Sequence, residues 1–517
     1  MHLDLRIAAR DWARLRRHFQ VSFGSDRSLE TGALAVLGEC RTNVKQEFIV
    51  AEVLLPEQSD LKYATNGALV FDASFIRRAH LAMRKQRLAG IATFHTHPGP
   101  SASVDFSLYD DRQDPLLVEN LMEIEPRTQF VSVVAGREAQ SARFFANPRS
   151  SHPLDRLIVV GDHLSYLPLD GHPPPPPPPP AAIFDRGLRL TGSGALAVLA
   201  GMTIAVVGAS GTGSLICELL ARAGCKHIIL IDHDIVQVIN LNRILYATEK
   251  DARRGAPKVE VLRRGIEALK LGCLVEPVCG SVLDTNILRR VLDSDLVLGC
   301  VDRALPRHLL CELAARYLLP YIDVGSEIGG DEDGIVSLDS RVSYIAPGRP
   351  CLTCTGVVTP RRLRFESLTE GERQRDQALG YSDDLVLKQP AVMDLNMRAA
   401  SGGMLVLRHL LQPFLKEPLP VEIHENAVTY RTIPASTAKA ADPTCPTCQK
   451  NARCGHGDCG PQIGYDPETA SRLLGSDSID TAAPSRRFFH KISPLRMPHF
   501  LHRANEVVST MMRRVRR

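Results

Sequence analysis

The stretch MTIAVVGASGTGSLICELLARAGCKHIILIDHDIVQVINLNR, residues 202–243, decides the fold of the larger part of this chain. It begins with an apolar, β-branched run at 203–207 and passes into a glycine-rich turn at 208–214. A run with apolar residues at helical spacing follows, and a second apolar run at 227–231 ends on Asp232. The order strand, turn, helix, strand predicts a β-turn-α-β unit.

The glycines of this turn and the carboxylate that follows them indicate a nucleotide site. Glycine lets the backbone approach an anion closely, and a helix N-terminus offers free N–H groups and a positive dipole end. Asp232 follows Gly208 by 24 residues, where a carboxylate can accept hydrogen bonds from a ribose. Ser210 occupies the middle glycine position, and many α/β proteins have such a turn that binds nothing. The continuation to Arg243 is one that dehydrogenases have no reason to carry.

That continuation, with Asp232-His-Asp234 and then Asn240-Leu-Asn-Arg243, resembles the ThiF/MoeB/HesA adenylyltransferase family, which has the fold of the ubiquitin-activating enzymes. Further matches follow in the family's order, namely Gly255-Ala-Pro-Lys258, Cys300-Val-Asp302 and two Cys-x-x-Cys pairs. The resemblance covers about residues 184–448 and predicts a Rossmann-like α/β domain that uses ATP and Mg²⁺.

The resemblance also implies a role for each matching residue. Three glycines would shape the phosphate cradle, two aspartates would belong to the nucleotide site with one holding the ribose, and an asparagine and two basic residues would contact phosphates. A further aspartate would coordinate Mg²⁺, and an arginine near the start of the domain would reach the nucleotide of a partner subunit in a homodimer. These residues are Gly208, Gly211, Gly213, Asp232, Asp234, Asn240, Arg243, Lys258, Asp302 and Arg186, of which Arg186, Arg243, Lys258 and Asp302 are the candidate catalytic residues. Taken singly, Arg243 and Lys258 could also be ordinary solvated charges.

Composition restricts the class of protein. A chain of 517 residues with 44% hydrophobic and 23% charged residues is long enough for two to four domains. The net charge of +4 gives no general indication of a nucleic-acid partner. The first residues lack a secretory apolar region, and the longest apolar stretch, at 195–209, is too short to span a bilayer. Thirteen cysteines, partly in Cys-x-x-Cys pairs, favour metal binding in a reducing compartment, so we expect a cytoplasmic protein.

Eight consecutive prolines, at 173–180, mark the clearest domain boundary. They predict a stiff polyproline II spacer. Before them, β-rich runs at 33–37, 47–55 and 130–134 and a helical stretch at 72–87 predict an α+β domain. The predicted organisation is an N-terminal domain at 1–150, a linker at 151–183, the adenylation domain at 184–460 and a basic tail at 461–517.

A second group of chemically active residues lies in the N-terminal domain. His95 and His97 stand at alternate positions of a strand end and so point the same way. With the carboxylate of Asp110 they would supply three ligands to a catalytic zinc and leave a fourth position for water. Glu30 is the candidate general base. The alternative is that the two histidines are simply exposed on a strand.

This arrangement is similar to the JAMM/MPN metalloprotease family, which cleaves ubiquitin-like proteins from lysines or at C-terminal extensions. The resemblance covers about residues 27–146 and implies that Glu30 activates the metal-bound water and Ser107 stabilises the tetrahedral intermediate. Eight residues separate Pro98 from Ser107, two more than in the best-known members, so Asp105 and Asp111 are alternatives to Asp110. A degenerate domain that binds without cleaving is also consistent with the sequence.

Two Cys-x-x-Cys pairs have the ligand spacing of a closed structural zinc site, formed by Cys351, Cys354, Cys445 and Cys448. Cys454, His456 and Cys459 could be substitute ligands or surface groups. The sequence has no cysteine between 355 and 444, where the family often carries one that forms a thioester, so such a step is in doubt.

The sequence thus predicts a bifunctional enzyme. A ubiquitin-like or sulfur-carrier protein would be trimmed or released by the zinc peptidase, and its C-terminal carboxylate would be adenylated by the second domain. The alternatives are a sulfur-transfer or small-molecule adenylyltransferase, and an N-terminal domain that only binds the ubiquitin-like protein. The final segment, 486–517, mixes basic and apolar residues and could bind an anionic surface, nucleic acid or nothing.

Overall fold

The computed structural model describes residues 2–23, 29–98, 103–169, 182–331, 334–369, 371–372, 375, 391–435, 441–448 and 453–475. In these ranges the chain forms a nine-stranded sheet, an eight-stranded sheet and a separate two-stranded hairpin. The proline run at 173–180 and the basic segment at 486–517 lie outside the described residues.

The nine-stranded sheet belongs to the N-terminal domain. Its spatial order is β11-β10-β1-β3-β2-β6-β7-β8-β9, with the hairpin β4-β5 beside it. The strands are β1 His2–Ala8, β2 Gly32–Arg41, β3 Lys45–Leu54, β4 Leu61–Ala64, β5 Leu69–Phe71, β6 Gly90–Thr96, β7 Gln129–Ala135, β8 Gln140–Asn147, β9 Ser150–Pro153, β10 Arg156–Val160 and β11 Leu164–Leu167.

Helices cover both faces of this sheet. The helices are α1 Ala9–Phe19, α2 Ala73–Gln86 and α3 Asp110–Ile124. Leu15 and Phe19 of α1 join the apolar cluster on one face, while Phe75 of α2 and Val118 of α3 join the cluster on the other. The predicted helix at 72–87 is well placed, because the Asp72 side chain caps α2 by accepting a hydrogen bond from the Ser74 backbone N–H.

The N-terminal domain ends later than the sequence predicted. Residues 150–167, which fall at the start of the predicted linker, form β9, β10 and β11. Strand β10 pairs in parallel with β1, and Leu157 and Val160 are fully buried. The proline run dominated the prediction of the boundary, although the short apolar run at 157–160 is what binds this segment to the sheet.

The eight-stranded sheet forms the second domain and has the predicted Rossmann-like arrangement. Its order is β14-β13-β12-β15-β16-β17-β18-β19, parallel from β14 to β16 and antiparallel beyond. The strands are β12 Thr203–Val207, β13 His227–Asp232, β14 Leu274–Cys279, β15 Leu296–Gly299, β16 Tyr321–Asp331, β17 Gly334–Ile345, β18 Glu422–Asn426 and β19 Arg431–Ala435. The strand, turn and helix order predicted at 203–232 is confirmed.

Helices lie on both faces of this sheet as well, so the domain is doubly wound. Helices α5, α7 and α12 contribute to one apolar cluster, and α8 and α9 contribute to the other. The helices are α4 Asp185–Gly201, α5 Gly211–Ala223, α6 Glu249–Arg254, α7 Lys258–Ala268, α8 Thr285–Arg290, α9 Ala304–Tyr317, α10 Leu352–Thr355, α11 Pro360–Ser367, α12 Met393–Leu411 and α13 Pro467–Gly475.

The start of the predicted tail also packs on the second domain. Ala470 and Leu473 of α13 lie in the same apolar cluster as α8 and α9. The Thr285 backbone N–H donates to the Tyr465 carbonyl at 2.9 Å. The second domain therefore extends to at least residue 475 rather than ending at 460.

The two domains share a buried, charged interface. Arg6 of β1 is fully buried, and it donates from Nε to Glu47 at 3.0 Å and from a guanidinium N–H to the Leu318 carbonyl of the second domain at 3.2 Å. Arg156 binds Asp4 at 2.6 Å and Asp295 of the second domain at 2.8 Å. These contacts reach the second sheet at the amino-terminal end of β15. Within the described residues, none of the helices has the length and apolarity needed to cross a membrane.

Candidate functional site

Three side chains converge at the carboxyl end of β6. His95 lies in β6, His97 directly follows the strand, and Asp110 is the first residue of α3. The Nε2 atoms of His95 and His97 are each 3.2 Å from a different oxygen of Asp110, and one ligand atom from each residue lies within 4.8 Å of the others.

This geometry fits a zinc ion. Ligand atoms at about 2.0–2.2 Å from a tetrahedral metal are separated from one another by about 3.3–3.5 Å. His95 Nε2 is buried and has no hydrogen-bond partner, although an Asp110 oxygen lies 3.2 Å away. This arrangement is expected when the nitrogen and the oxygen are both directed at one metal ion. Burial raises the pKa of Asp110, but the two neighbouring imidazoles oppose this and hold the pKa below its usual value. The carboxylate is therefore in the charged form that a metal requires.

Glu30 and Ser107 border the same three residues, as predicted. Glu30 is 3% exposed, and its carboxylate is 3.9 Å from His97 Nε2. Burial raises the pKa of Glu30. Ser107 donates from both its backbone N–H and its hydroxyl to Asp110 at 2.7 Å. Two carboxylates, a hydroxyl and two imidazoles therefore lie close together.

The alternative ligands Asp105 and Asp111 point elsewhere. Asp105 accepts a hydrogen bond from the adjacent Phe106 N–H at 2.8 Å, and Asp111 pairs with Arg143 at 2.6 Å. Of the three candidate carboxylates, the structure places Asp110 beside the histidines. Residues 99–102, which belong to the longer spacing between Pro98 and Ser107, lie outside the described residues.

In the second domain, close backbone packing dictates the glycines of the turn. Gly208 has φ +98°, and a Cβ there would lie 2.5 Å from the Cys300 carbonyl oxygen. A Cβ at Gly213 would lie 1.8 Å from the Gly208 carbonyl oxygen, and one at Gly211 would lie 2.1 Å from an amide nitrogen of Asn396. The turn therefore brings the start of α5 against the carboxyl ends of β12 and β15, with its N–H groups available to an anion.

Two aspartates and a lysine follow β13. Asp232 accepts hydrogen bonds from the Ala209 N–H at 2.6 Å and the Asp234 N–H at 2.8 Å, so it ties the turn to the second strand. Lys258, the first residue of α7, is buried and donates to Asp234 at 2.6 Å. Burial raises the pKa of Asp234, but the ammonium of Lys258 outweighs it and the pKa is lowered. Lys258 therefore places a buried positive charge near the glycine turn.

The remaining predicted nucleotide residues differ in position. Arg243 lies near the turn, since its Cδ would be 3.4 Å from a Cβ at Gly211. Burial lowers the pKa of Arg243, and the carboxylate of Asp302 opposes that effect. Asp302 is exposed just beyond β15. Asn240 is buried, and its side-chain oxygen accepts a hydrogen bond from the Gln237 N–H at 3.0 Å, which caps the local turn.

Arg186 lies apart from this group. It is exposed on the first turn of α4, and α4 packs against α12. Its reach toward the nucleotide of a partner subunit stays a prediction.

Sequence reasoning missed Asn396 of α12. Its side-chain oxygen accepts hydrogen bonds from the Thr212 hydroxyl at 3.3 Å and the Ser326 hydroxyl at 2.7 Å. Asn396 is 4% exposed and fixes the start of α5 from a position far along the chain. The only signal in the sequence is an asparagine within an otherwise apolar stripe of α12, which does not reveal its partners.

The sequence analysis also missed a buried ion pair next to Asp302. Arg307 of α9 donates to Asp323 at 3.2 Å and to the Asp302 carbonyl at 3.4 Å. Asp323 is fully buried and accepts further hydrogen bonds from Tyr321 at 2.7 Å and Arg341 at 2.9 Å. Arg307 therefore connects the backbone of Asp302 to Asp323 in β16 of the sheet.

The four paired cysteines come together, with one pair from each end of the segment between them. The Sγ atoms of Cys351 and Cys445 are 3.6 Å apart, those of Cys354 and Cys448 are 3.3 Å apart, and those of Cys351 and Cys354 are 3.8 Å apart. Four thiolates at about 2.3 Å from a tetrahedral zinc are about 3.8 Å from one another. A hydrogen bond with Cys448 lowers the pKa of Cys351 to about 5. The donor set fits a closed structural zinc site.

The nearby groups Cys454, His456 and Cys459 are half-buried and lie outside the group of four cysteines whose sulfur atoms come together. Cys454 donates to the Cys448 carbonyl at 3.7 Å, His456 packs against Gly38, and Cys459 packs on the apolar cluster that includes α2 and α3 of the N-terminal domain. They belong to a segment, 453–460, that lies between the two domains.

Asp458 of this segment joins both domains. It accepts hydrogen bonds from the Arg41 N–H of β2 at 2.8 Å, from Arg289 at 2.9 Å and from the Tyr317 hydroxyl at 2.8 Å. The Asp458 N–H donates to the Glu39 carbonyl at 2.6 Å. The segment that follows the cysteine pair therefore helps to hold the N-terminal domain on the second domain.

These donor sets predict two zinc ions per chain. We expect elemental analysis of the purified full chain to give about two zinc ions per chain, with one lost in His95→Ala/His97→Ala and the other lost in Cys351→Ser/Cys354→Ser. Only the cysteine variant should also loosen the domain contact, measured as faster proteolysis near Asp458. A stoichiometry of two in either double variant would contradict the assignment.

Comparison with known families agrees with both halves of this structure. A family model described as the ThiF family matches residues 184–447, just over half of the chain. The chain belongs to the ThiF family. A second model, described as prokaryotic homologs of the JAB domain, matches residues 13–147. The fusion of these two domains, predicted from the sequence, is confirmed.

Several curated proteins are similar to part of this ThiF-family chain. The SAMP-activating enzyme E1 of Haloferax volcanii is 27% identical over 151 residues, which cover 29% of this chain and 52% of that protein. The molybdopterin-synthase adenylyltransferase of Escherichia coli is 31% identical over 153 residues, covering 29% of this chain and 57% of that protein. The chain spans about half the length of these curated relatives. A solved structure of the microcin C7 biosynthetic enzyme MccB with N-formylated MccA has a TM-score of 0.42 and 20% identity, and the match covers 52% of this chain and 74% of that chain.

Proposed function

We propose that this protein adenylates the C-terminal carboxylate of a ubiquitin-like or sulfur-carrier protein, and that its JAB-like domain hydrolyses a peptide or isopeptide bond of the same class of protein. The observation that carries the proposal is the convergence of the turn at Gly208, Asp232, Lys258 and Asp302 at the carboxyl ends of β12, β13 and β15. The names of the two curated relatives support the kind of substrate.

The adenylation step needs an anionic nucleotide to be held while a second anion approaches it. The carboxylate oxygen of the carrier would attack the α-phosphorus of ATP, forming a mixed anhydride as the bond to pyrophosphate breaks. The N–H groups at the start of α5 would face the phosphates, and Lys258 and Arg243 would neutralise charge on the departing pyrophosphate. Arginine supplies a planar fork of donors and lysine a point charge.

Asp302 would hold Mg²⁺ next to these phosphates. It is exposed beyond β15, and a carboxylate offers the hard oxygen ligand that Mg²⁺ prefers. The Arg307 contact to its carbonyl keeps this residue in place without using its carboxylate. When bound, the metal would neutralise charge on the phosphates.

Hydrolysis would take place at the other site. His95, His97 and Asp110 would hold zinc, which would polarise the scissile carbonyl and acidify bound water. Glu30, buried beside these ligands, would accept the proton of the attacking water and deliver it to the leaving amine. Ser107, whose hydroxyl donates to Asp110 in the structure, would instead donate to the developing oxyanion during the reaction.

The two sites would work in succession on free substrate rather than by direct transfer within one chain. The N-terminal domain contacts the amino-terminal end of β15, at Asp295, whereas the nucleotide residues follow the carboxyl ends of the strands. One strand alone, at about 3.3 Å per residue, separates these ends by about 15 Å. A trimmed carrier would therefore leave one site before entering the other, or enter the site of a partner in a homodimer formed through the adenylation domain.

Pyrophosphate exchange tests the adenylation. Candidate carrier proteins would be mixed with the full chain, ATP and labelled pyrophosphate, and we expect exchange with a carrier that ends in a free C-terminal carboxylate. Asp302→Ala should reduce the rate at least about a hundredfold, because the variant loses the carboxylate that would hold the charge-neutralising Mg²⁺.

A matched control is Glu417→Ala, which removes an exposed carboxylate outside the site and should leave exchange unchanged. Unchanged exchange in Asp302→Ala would contradict the role of Asp302. Exchange that requires a small carboxylic acid and not a protein would favour the small-molecule alternative, and a zinc-loaded N-terminal domain that binds carrier without cleaving it would favour the binding alternative.

A further inference from the structure

Among the described strands of the N-terminal domain, only β4 and β5 do not pair with the main sheet. It lies between β3 and α2 in the chain. A two-stranded hairpin is marginally stable by itself, so its position depends on contacts with its surroundings.

The base of the hairpin is fixed to α2. Asp60, which precedes β4, is 3% exposed and accepts two hydrogen bonds from the guanidinium of Arg78 at 3.1 and 2.7 Å. The Asp60 carbonyl accepts a hydrogen bond from the Asp72 N–H at 2.7 Å, at the start of α2. The hairpin therefore leaves the body of the domain in a fixed direction.

The turn of the hairpin contacts the residue proposed as the general base. The Glu30 N–H donates to the Thr65 carbonyl at 2.7 Å. Beside Glu30, the hairpin residues Leu69 and Phe71 press on Gly32, where a Cβ would lie 2.5 and 2.9 Å from their side chains. The hairpin thus holds the backbone from which Glu30 projects.

The first strand of the hairpin contacts the helix that carries the third metal ligand. The hydroxyl groups of Tyr63 and Tyr109 are 2.6 Å apart and form a hydrogen bond. Tyr109 lies between Ser107 and Asp110, so this bond reaches the residue next to Asp110. One hairpin is therefore attached to both sides of the metal site.

We propose that Tyr63 is a positioning residue of the metal site, and that the hairpin β4-β5 acts through it to hold the start of α3 in register with the strand that carries Glu30. The inference rests on the proposed hydrolytic function only for its effect on rate. Glu30 and Asp110 come from elements 80 residues apart in sequence, and a base acts only within hydrogen-bond reach of the metal-bound water. The hairpin connects the two elements through one backbone hydrogen bond, to Glu30, and one side-chain hydrogen bond, to Tyr109.

The test compares Tyr63→Phe, Tyr109→Phe and the double variant in the zinc-loaded full chain. Each change removes one hydroxyl and keeps the ring. Tyr430→Phe is the matched control, because Tyr430 is 88% exposed and lies in the second domain.

Two readouts report positioning without a carrier substrate. The first is the zinc affinity of the histidine site, from competition with a chromophoric chelator, with His95→Ala/His97→Ala measuring the cysteine site alone. The second is hydrogen–deuterium exchange of peptides that contain Glu30 and Asp110. In each single variant we expect affinity to fall and exchange to rise about three- to tenfold, the factor that one hydrogen bond contributes.

Because both hydroxyls form the same bond, the double variant should change no further than either single variant. Additive effects, or single variants indistinguishable from Tyr430→Phe, would overturn the proposal. If a carrier is cleaved, kcat should fall in both single variants with KM unchanged. If the wild-type chain cleaves no carrier, the peptidase proposal fails, while the zinc and exchange measurements still decide the role of Tyr63.

Discussion

Glu30→Gln is expected to abolish hydrolysis by the N-terminal domain while the chain keeps its full zinc content. Glutamine has almost the same size and can accept a hydrogen bond, but it cannot take a proton from water. Loss of a positioned general base costs about 10²- to 10⁴-fold in rate. The measurement is cleavage of a carrier with a C-terminal extension, followed by mass spectrometry of the shortened product, together with zinc analysis.

The structure makes this substitution informative because Glu30 is close to the metal ligands without being one of them. Its carboxylate is 3.9 Å from His97, whereas Asp110 lies 3.2 Å from both histidines. Glu119→Gln, on the exposed side of α3, is the matched control and should retain activity. Wild-type cleavage rates in Glu30→Gln would contradict the assignment, and loss of zinc would show that Glu30 is a ligand instead.

Short motifs allowed most of the residues of both candidate sites to be predicted from the sequence. The two histidines, Glu30 and the glycine turn stand in characteristic local patterns whose geometry is set within a few residues. The choice of Asp110 over Asp105 and Asp111 was open, because it depends on how α3 approaches β6 and on the path of the chain after Pro98. The structure places Asp110 at the start of that helix, facing the strand.

Contacts over long sequence distances could not be predicted. Asn396 reaches the start of α5 across about 180 residues, and Asp458 joins strand β2 to helices α8 and α9. Neither residue stands in a motif, and their burial follows from packing between elements whose order in space the sequence does not state. The strand β10 was overlooked for a similar reason, since it becomes a strand by pairing with β1 at the far end of the domain.

The interface between the two domains also depends on contacts over long sequence distances. Arg6→Met, which removes one of these contacts, is expected to destabilise the N-terminal domain strongly. Arg6 is fully buried, and its loss leaves Glu47, which is 2% exposed, with Lys45 at 3.6 Å as its remaining ionic partner within the described part of the chain. Breaking a buried pair by removing one partner costs about 3–5 kcal/mol in free energy of unfolding. The sequence has one tryptophan, Trp12 of α1, so its fluorescence reports unfolding of this domain.

In the wild-type chain we expect the urea transition seen by Trp12 fluorescence to coincide with the transition seen by far-ultraviolet circular dichroism, because the interface couples the two domains. In Arg6→Met the fluorescence transition should move to lower urea and separate from the other. Arg14→Met is the matched control: its arginine is 45% exposed and 3.6 Å from Asp11, so we expect a change of at most about 1 kcal/mol. A shift in Arg6→Met no larger than that in Arg14→Met would show that Arg6 does not stabilise the N-terminal domain or its contact with Leu318 of the second domain.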